Sequence, residues 1–423
     1  MNVLARNAGW VLAGQCASVG LQAAYFVLLT RLLGSSQYGV YIAIVALVSI
    51  VNQYSTLGAG FVLLRRVSAD ASRFPVYWGN VLLTTLLVSP FIVGMLVGVG
   101  HRLLHGAGIL PMALIAAAEC VFTPLASNCS QAFQAFEEMR RTALLSFVTN
   151  LLRALLALAL YLNLHKITLE EWAVGSISVS VISAVLAVSA VTYYHGRPTF
   201  HPKLVFRHAG EGIAFAVSCS TTSIYNDLDK VMLGNRGLNV ANGIYSVAYR
   251  VLTFATMPVT AVYAAAFPRF FRRGEQGVSA TVALASRLLK KTTWVSIAIS
   301  IALFACAPLI PHIVGKDFSQ SVAALRWLCL IPVFRNFQWS AGDALAGAGY
   351  QRVRLGSQLA AAGLNIGVNL YMIPRYSWVG AAWASLITDG SLALMSWGLL
   401  LCLSLREKMR LQIPAAAISG GQG

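Results

Sequence analysis

An all-α polytopic membrane protein, with about twelve spanning helices in two six-helix lobes around a central cavity, is the fold class this sequence predicts. Three observations predict it. Hydrophobic residues make up 57% of the chain and charged residues 11%, with a mean hydropathy of +0.70, whereas soluble domains carry about 25% charged residues. The apolar residues fall in long runs, each near the ~20 residues a helix needs to cross the hydrocarbon core. The first six runs resemble the last six.

The runs lie near 8–31, 38–64, 77–99, 109–133, 143–163, 171–194, 212–235, 243–267, 291–313, 323–348, 357–374 and 379–404. Lipid offers backbone groups no partners, so each run closes its hydrogen bonds within a helix. The runs are too long, and lack the two-residue alternation, for barrel strands. The first follows Arg6 and is too long for a signal-peptide core. Pro90, Pro124, Pro258, Pro308 and Pro332 fall within runs and predict bends. No connection exceeds roughly 25 residues, so no soluble catalytic domain is inserted. All seven cysteines fall in or at the ends of runs and read as packing residues.

Lys and Arg set the orientation. With a cytoplasmic N-terminus, the cytoplasmic tails and loops hold 20 of the 31 basic residues, in clusters such as Arg65, Arg66 and Arg73, or Arg269, Arg272 and Arg273. The opposite loops hold only Arg31, Arg102, Lys166, Arg236, Lys316, Arg326 and Arg375. The excess on one side places both termini in the cytoplasm and explains the net charge of +17. No basic soluble surface exists for nucleic acid.

The halves align in parallel. Gly34 matches Gly234 at an offset of 200 residues; Gly39 and Tyr41 match Gly243 and Tyr245 at 204; Arg65-Arg66 match Arg272-Arg273 at 207. Residues 131–140 match 343–352 at 212, and Asn150 matches Asn365 at 215. The offset grows smoothly, as small loop insertions require. Six spans per half is an even number, so the copies point the same way and are related by an axis along the membrane normal. The expected division is a lobe at 1–204, a lobe at 205–404, and a disordered tail at 405–423. Two such lobes enclose a path that opens alternately to each side.

Three stretches, 31–41 (RLLGSSQYGVY), 227–250 (DLDKVMLGNRGLNVANGIYSVAYR) and 365–383 (NIGVNLYMIPRYSWVGAAW), resemble the polysaccharide transporter family, the Wzx-type O-antigen and exopolysaccharide flippases. That family belongs to the multidrug/oligosaccharidyl-lipid/polysaccharide superfamily. The resemblance covers the whole chain. It implies translocation of an undecaprenyl-diphosphate-linked oligosaccharide from the cytoplasmic to the periplasmic leaflet of a bacterial inner membrane. It also implies glycosyltransferases and a polysaccharide polymerase as partners. Superfamily drug antiporters share twelve spans but usually lack the Arg-Leu-Leu-Gly…Tyr-Gly-x-Tyr spacing, and lipid II flippases usually have fourteen.

Charges at membrane depth are costly and normally face a partner or a cavity. Four basic residues lie there, Arg153, Lys230, Arg250 and Arg335, with Glu119, Asp227, Asp229, Asp343 and Asp389. Glu119 and Arg153 sit about ten residues into adjacent spans, so they either pair or leave Arg153 as a ligand. Arg250, near Tyr249, and Arg335 suit the implied diphosphate, because a guanidinium meets phosphate oxygens with a planar, bidentate donor set. Their other reading is pairing with Asp229 or Asp343, or snorkelling to the interface. Arg31 either anchors its helix at the interface or touches substrate. Asn365 and Asn369 share a face and read as interhelical bonds or sugar contacts. Asp227 and Lys230, three residues apart, can pair. That leaves Asp229 as an unpaired carboxylate able to carry a coupling ion, H+ or Na+, with Asp389 and Glu119 as further candidates.

No phosphate loop, nucleophile elbow or metal-ligand spacing occurs, so no catalytic residue, metal or cofactor is expected. Three readings remain: a lipid-linked oligosaccharide flippase, a cation-coupled multidrug exporter on the same scaffold, and a membrane enzyme of polysaccharide assembly. The enzyme would need a large periplasmic loop with catalytic basic residues, and it leaves the repeat unexplained. The flippase reading is preferred.

Overall fold

The computed structural model describes the backbone of residues 3–412; the side chains of residues 3–16, 203–209, 211, 214, 215, 218, 222 and 410–412 lie outside the described set. Among the described residues every regular element is a helix: α1 (Val3–Val51), α2 (Ala59–Ala69), α3 (Phe74–Leu103), α4 (Ile109–Ala117), α5 (Thr123–Ala135), α6 (Met139–Leu164), α7 (Leu169–His195), α8 (Pro202–Asn235), α9 (Asn239–Gly274), α10 (Val278–Cys306), α11 (Ile310–Val314), α12 (Ser321–Leu328), α13 (Ile331–Gly347) and α14 (Gln351–Gln412).

Eight stretches are long and apolar enough to cross a membrane. The two longest, Ala17–Tyr54 and Gln351–Met409, each contain a break. α1 breaks at Gly34, whose φ of 66° costs glycine nothing. α14 breaks at Ser377, three residues after Pro374. Counting both halves of each, and joining α1 to α2, α4 to α5, α10 to α11 and α12 to α13, gives twelve passes.

Two expectations of continuous helix are corrected. The second pass stops at a 3-10 turn, Asn52–Tyr54, and reverses through Leu57 and Gly58 at φ of 45° and 65° before α2 begins. Gly58 lies so close to Gly212 of α8 that a Cβ would meet the Gly212 carbonyl oxygen at 2.4 Å. Ser220 of α8 donates to the Ile50 carbonyl at 2.7 Å, beside the break. Irregular backbone at membrane depth is tolerated where protein satisfies it in this way. The fourth pass is interrupted by a π-helical turn, Ala118–Phe122, just before Pro124. Pro308 sits in a 3-10 turn and Pro332 opens α13, so these prolines start segments; Pro90 and Pro258 lie inside α3 and α9.

The internal repeat is visible in the packing. A Cβ on Gly39 would lie 1.8 Å from the Asn239 carbonyl oxygen, and one on Gly243 would lie 2.1 Å from the Ser35 carbonyl oxygen. Ser35 and Asn239 are themselves equivalent at the 204-residue offset. Each glycine therefore meets the other copy's partner, the reciprocal contact that a two-fold axis imposes on residues beside it. Each half also builds a core from its second, third, fourth and sixth passes. The first core holds Leu63, Cys129, Ala132 and Phe133. The second holds Phe270, Ala341, Ala344 and Leu345. These are the same positions at offsets of 207 and 212.

Two compact units divide the chain: Met1–Ser246 with Pro311–Ser319, and Val247–Ile310 with Gln320–Gly423. Residues 405–412, expected in the tail, continue α14 as helix; residues 413–423 lie outside the described residues.

Candidate functional site

In the first unit, the π turn brings Glu119 toward α6. Arg153 donates to Glu119 at 3.4 Å and to Thr123 at 3.2 Å. The pair is partly open, with 29% of the Arg153 side chain and 21% of Glu119 exposed. The pairing anticipated from depth is therefore present. On the neighbouring passes Tyr25 and Tyr41 meet through their hydroxyls at 3.3 Å, and both rings contact Trp172.

The polar cluster of α8 is more tightly bound than its spacing implied. Lys230 donates to Asp227 at 2.7 Å, as expected, and Ser49 donates to the same carboxylate at 3.0 Å. Asp229 is not unpaired. Its carboxylate accepts from the Tyr245 hydroxyl and from the Lys230 backbone N–H, and the Lys230 ammonium lies 3.7 Å away. Spacing along α8 accounted neither for Lys230 also reaching Asp229 nor for Tyr245 arriving from α9. Arg31 uses two donors on the Ile313 and His312 carbonyls, at 2.7 and 2.8 Å. It thereby closes the C-terminal end of α11, where carbonyls lack helical partners.

In the second unit, Arg335 on α13 pairs with Asp389 on α14 at 3.3 Å, not with Asp229 or Asp343. It also donates to the Tyr249 hydroxyl. Asp343 lies 3.6 Å from Arg354 instead. Beside Asp389 in sequence, Thr388 accepts from Asn365 at 3.2 Å, and Asn365 accepts from Asn369 at 2.9 Å, so a buried polar link joins the eleventh and twelfth passes. Arg250 is exposed and lies over the Phe254 ring, with no carboxylate in ion-pair range among the described residues.

The structure therefore joins Glu119 with Arg153, and Asp389 and Tyr249 with Arg335, while Asn365 bonds to Thr388 and Asn369. It leaves Arg31, Arg250 and Asp229 in separate surroundings. Sequence reasoning missed the hydroxyls that share a cavity with Arg153, notably Ser127, Ser146, Ser180 and Ser183. The signal was available: Ser146, Asn150 and Arg153 recur at helical spacing on one face of an apolar span.

The family model for polysaccharide biosynthesis proteins matches residues 4–273. Comparison with curated proteins finds no match. Among solved structures, the chain is similar to an inward-facing multidrug resistance MATE family transporter of the MOP superfamily, with a TM-score of 0.73 and 14% identity over 92% of this chain and 95% of that one. It is similar to the lipid II flippase MurJ in an inward closed conformation, with a TM-score of 0.71 and 12% identity over 91% of this chain and 86% of that one. It is also similar to a MOP superfamily transporter from Pyrococcus furiosus, with a TM-score of 0.62 and 15% identity over 95% and 96% of the two chains. At these identities the likeness is one of fold, that of a multi-pass membrane transporter.

Proposed function

The chain belongs to the polysaccharide biosynthesis protein family, and on that premise we propose that it is a flippase for an undecaprenyl-diphosphate-linked oligosaccharide in O-antigen or exopolysaccharide assembly. The cargo moves from the cytoplasmic to the periplasmic leaflet of a bacterial inner membrane by alternating access. The two six-span halves, 1–204 and 205–404, are the moving parts, and both termini face the cytoplasm. Glycosyltransferases that build the cargo and a polymerase that consumes it are its functional partners.

The observation that carries the reading, beside the family match, is Arg250: an exposed guanidinium within a membrane-spanning helix, without a carboxylate among the described residues. A charge in that position is costly unless it meets an anion, and a diphosphate is such an anion. Arg335 and Tyr249 form the second candidate contact. Coupling to H+ or Na+, if the cycle uses it, belongs to Asp229, Asp389 or Glu119. Normal polysaccharide export by Asp229→Asn would remove Asp229 from that role.

The test is made on a strain lacking the chain, by finding which leaflet holds its lipid-linked oligosaccharide. Accumulation on the cytoplasmic leaflet is expected, with loss of export. Intact export without accumulation would favour the alternative, a cation-coupled multidrug exporter, which the MATE-like fold also accommodates.

A further inference from the structure

Within the first unit, α5, α6 and α7 line an open cavity of about 290 Å³. Ser127 reaches it from α5, Ser146, Asn150 and Arg153 from α6, and Ser180 and Ser183 from α7. Ser180 and Ser183 are each only 4% exposed, and their hydroxyls have no hydrogen-bond partner. A buried hydroxyl left unmade carries its full desolvation penalty. Both residues line the cavity from one helix face, and a ligand with hydroxyls of its own, entering between the helices, would supply the missing partners.

The fold does not require this polarity. At the 215-residue offset that aligns Asn150 with Asn365, the second copy places Ala361 and Val368 where the first has Ser146 and Arg153. Asn365 in that copy is bonded to Thr388. The same helix is therefore built twice, and only one copy carries the hydroxyl face.

Charge decides between ligand classes. A phosphate offers acceptors only and needs net positive charge. Here the one guanidinium on the wall is matched by Glu119 at 3.4 Å. Serine hydroxyls and the Asn150 amide both donate and accept, the complement of a sugar ring's hydroxyls.

We propose that the α5–α6–α7 cavity is a sugar subsite that holds a neutral ring of the cargo's oligosaccharide. That this sugar arrives on a lipid rests on the flippase reading; the chemistry of the cavity does not.

The test uses full-length protein in nanodiscs and saturation-transfer NMR. The probes are the oligosaccharide released by mild acid from the strain's lipid-linked intermediates and, in competition, inorganic diphosphate. Wild type, the double variant Ser180→Ala with Ser183→Ala, and the cavity-filling Ser146→Leu are compared. The alanines remove unpartnered hydroxyls, so the unfolding midpoint of the double variant should not fall. The expected result is sugar binding by wild type, at least ten-fold weaker in both variants and unaffected by diphosphate. Equal binding by wild type and variants, no binding by wild type, or displacement by diphosphate would each overturn the proposal; the first would leave a cavity filled by water. The leaflet assay fails separately: sugar binding that depends on the serines, without cytoplasmic accumulation in the deletion strain, would keep the subsite and discard the flippase.

Discussion

Each half of the chain holds an arginine against a carboxylate at membrane depth, and the two pairs are built differently. Arg335 and Asp389 are enclosed, with 12% and 3% of their side chains exposed, and Arg335 also bonds to Tyr249. Arg153 and Glu119 are more exposed, at 29% and 21%, beside a cavity lined with hydroxyls. An enclosed pair has no solvent to replace a lost partner, so losing one costs more stability. An open pair can exchange one partner for a ligand. The repeat supplied two scaffolds, and divergence of a few side chains gave one a clamp and the other a pocket.

The sharpest way to break this comparison is Asp389→Asn. Leaving Arg335 as an uncompensated buried charge should cost about 3–5 kcal/mol, read as a lower unfolding midpoint of the purified protein. An unchanged midpoint would make the two pairs alike. Next in size are Gly39→Ala and Gly243→Ala, whose new methyl groups collide with backbone carbonyls. Overpacking of this kind costs about 1–3 kcal/mol. Because the two contacts are reciprocal, the two variants should lose similar amounts; a large disparity would weaken the two-fold relation.

Arg153→Ala should lower stability by less than Asp389→Asn, since its pair is the more exposed of the two, while abolishing polysaccharide export in a complementation assay. Retained export would mean the first pair is also only a brace. The smallest effects concern the helix starts after the basic clusters. Glu407 accepts from the backbone N–H groups of Val278 and Ser279 at 3.0 and 2.8 Å, so Glu407→Ala should cost ~1 kcal/mol. Asp70 makes a local counterpart before α3: the Ser72 hydroxyl first, then the Ser72 N–H and Arg73, hold its carboxyl below the ordinary aspartate range. Such a group stabilises the fold above its unfolded pKa, and the contribution is lost as pH falls through the depressed folded value. Asp70→Ala should therefore lower stability slightly at neutral pH, change little at low pH, and so flatten the acid side of the stability profile.

Most of the fold was legible because its governing constraint, apolar length, is local. The repeat was legible too, and Gly39 and Gly243 show why: a close backbone crossing demands glycine in both copies. The breaks at Asn52–Gly58 and Ala118–Phe122 were not, because they depend on what another helix or the next segment provides. Depth alone put Glu119 and Arg153 at one level, leaving open whether they pair. Tyr245 capping Asp229, and Asp389 reaching Arg335, required the rotation of each helix about its axis, which spacing within one helix does not fix.

The most direct measurement is made in proteoliposomes carrying the lipid-linked oligosaccharide in one leaflet, with transfer read as glycan made accessible to an added glycosidase. Wild type is predicted to expose the glycan, and Arg153→Ala to fail while losing less stability than Asp389→Asn. No transfer by wild type, or equal transfer by Arg153→Ala, would contradict the assignment of transport to the open pair.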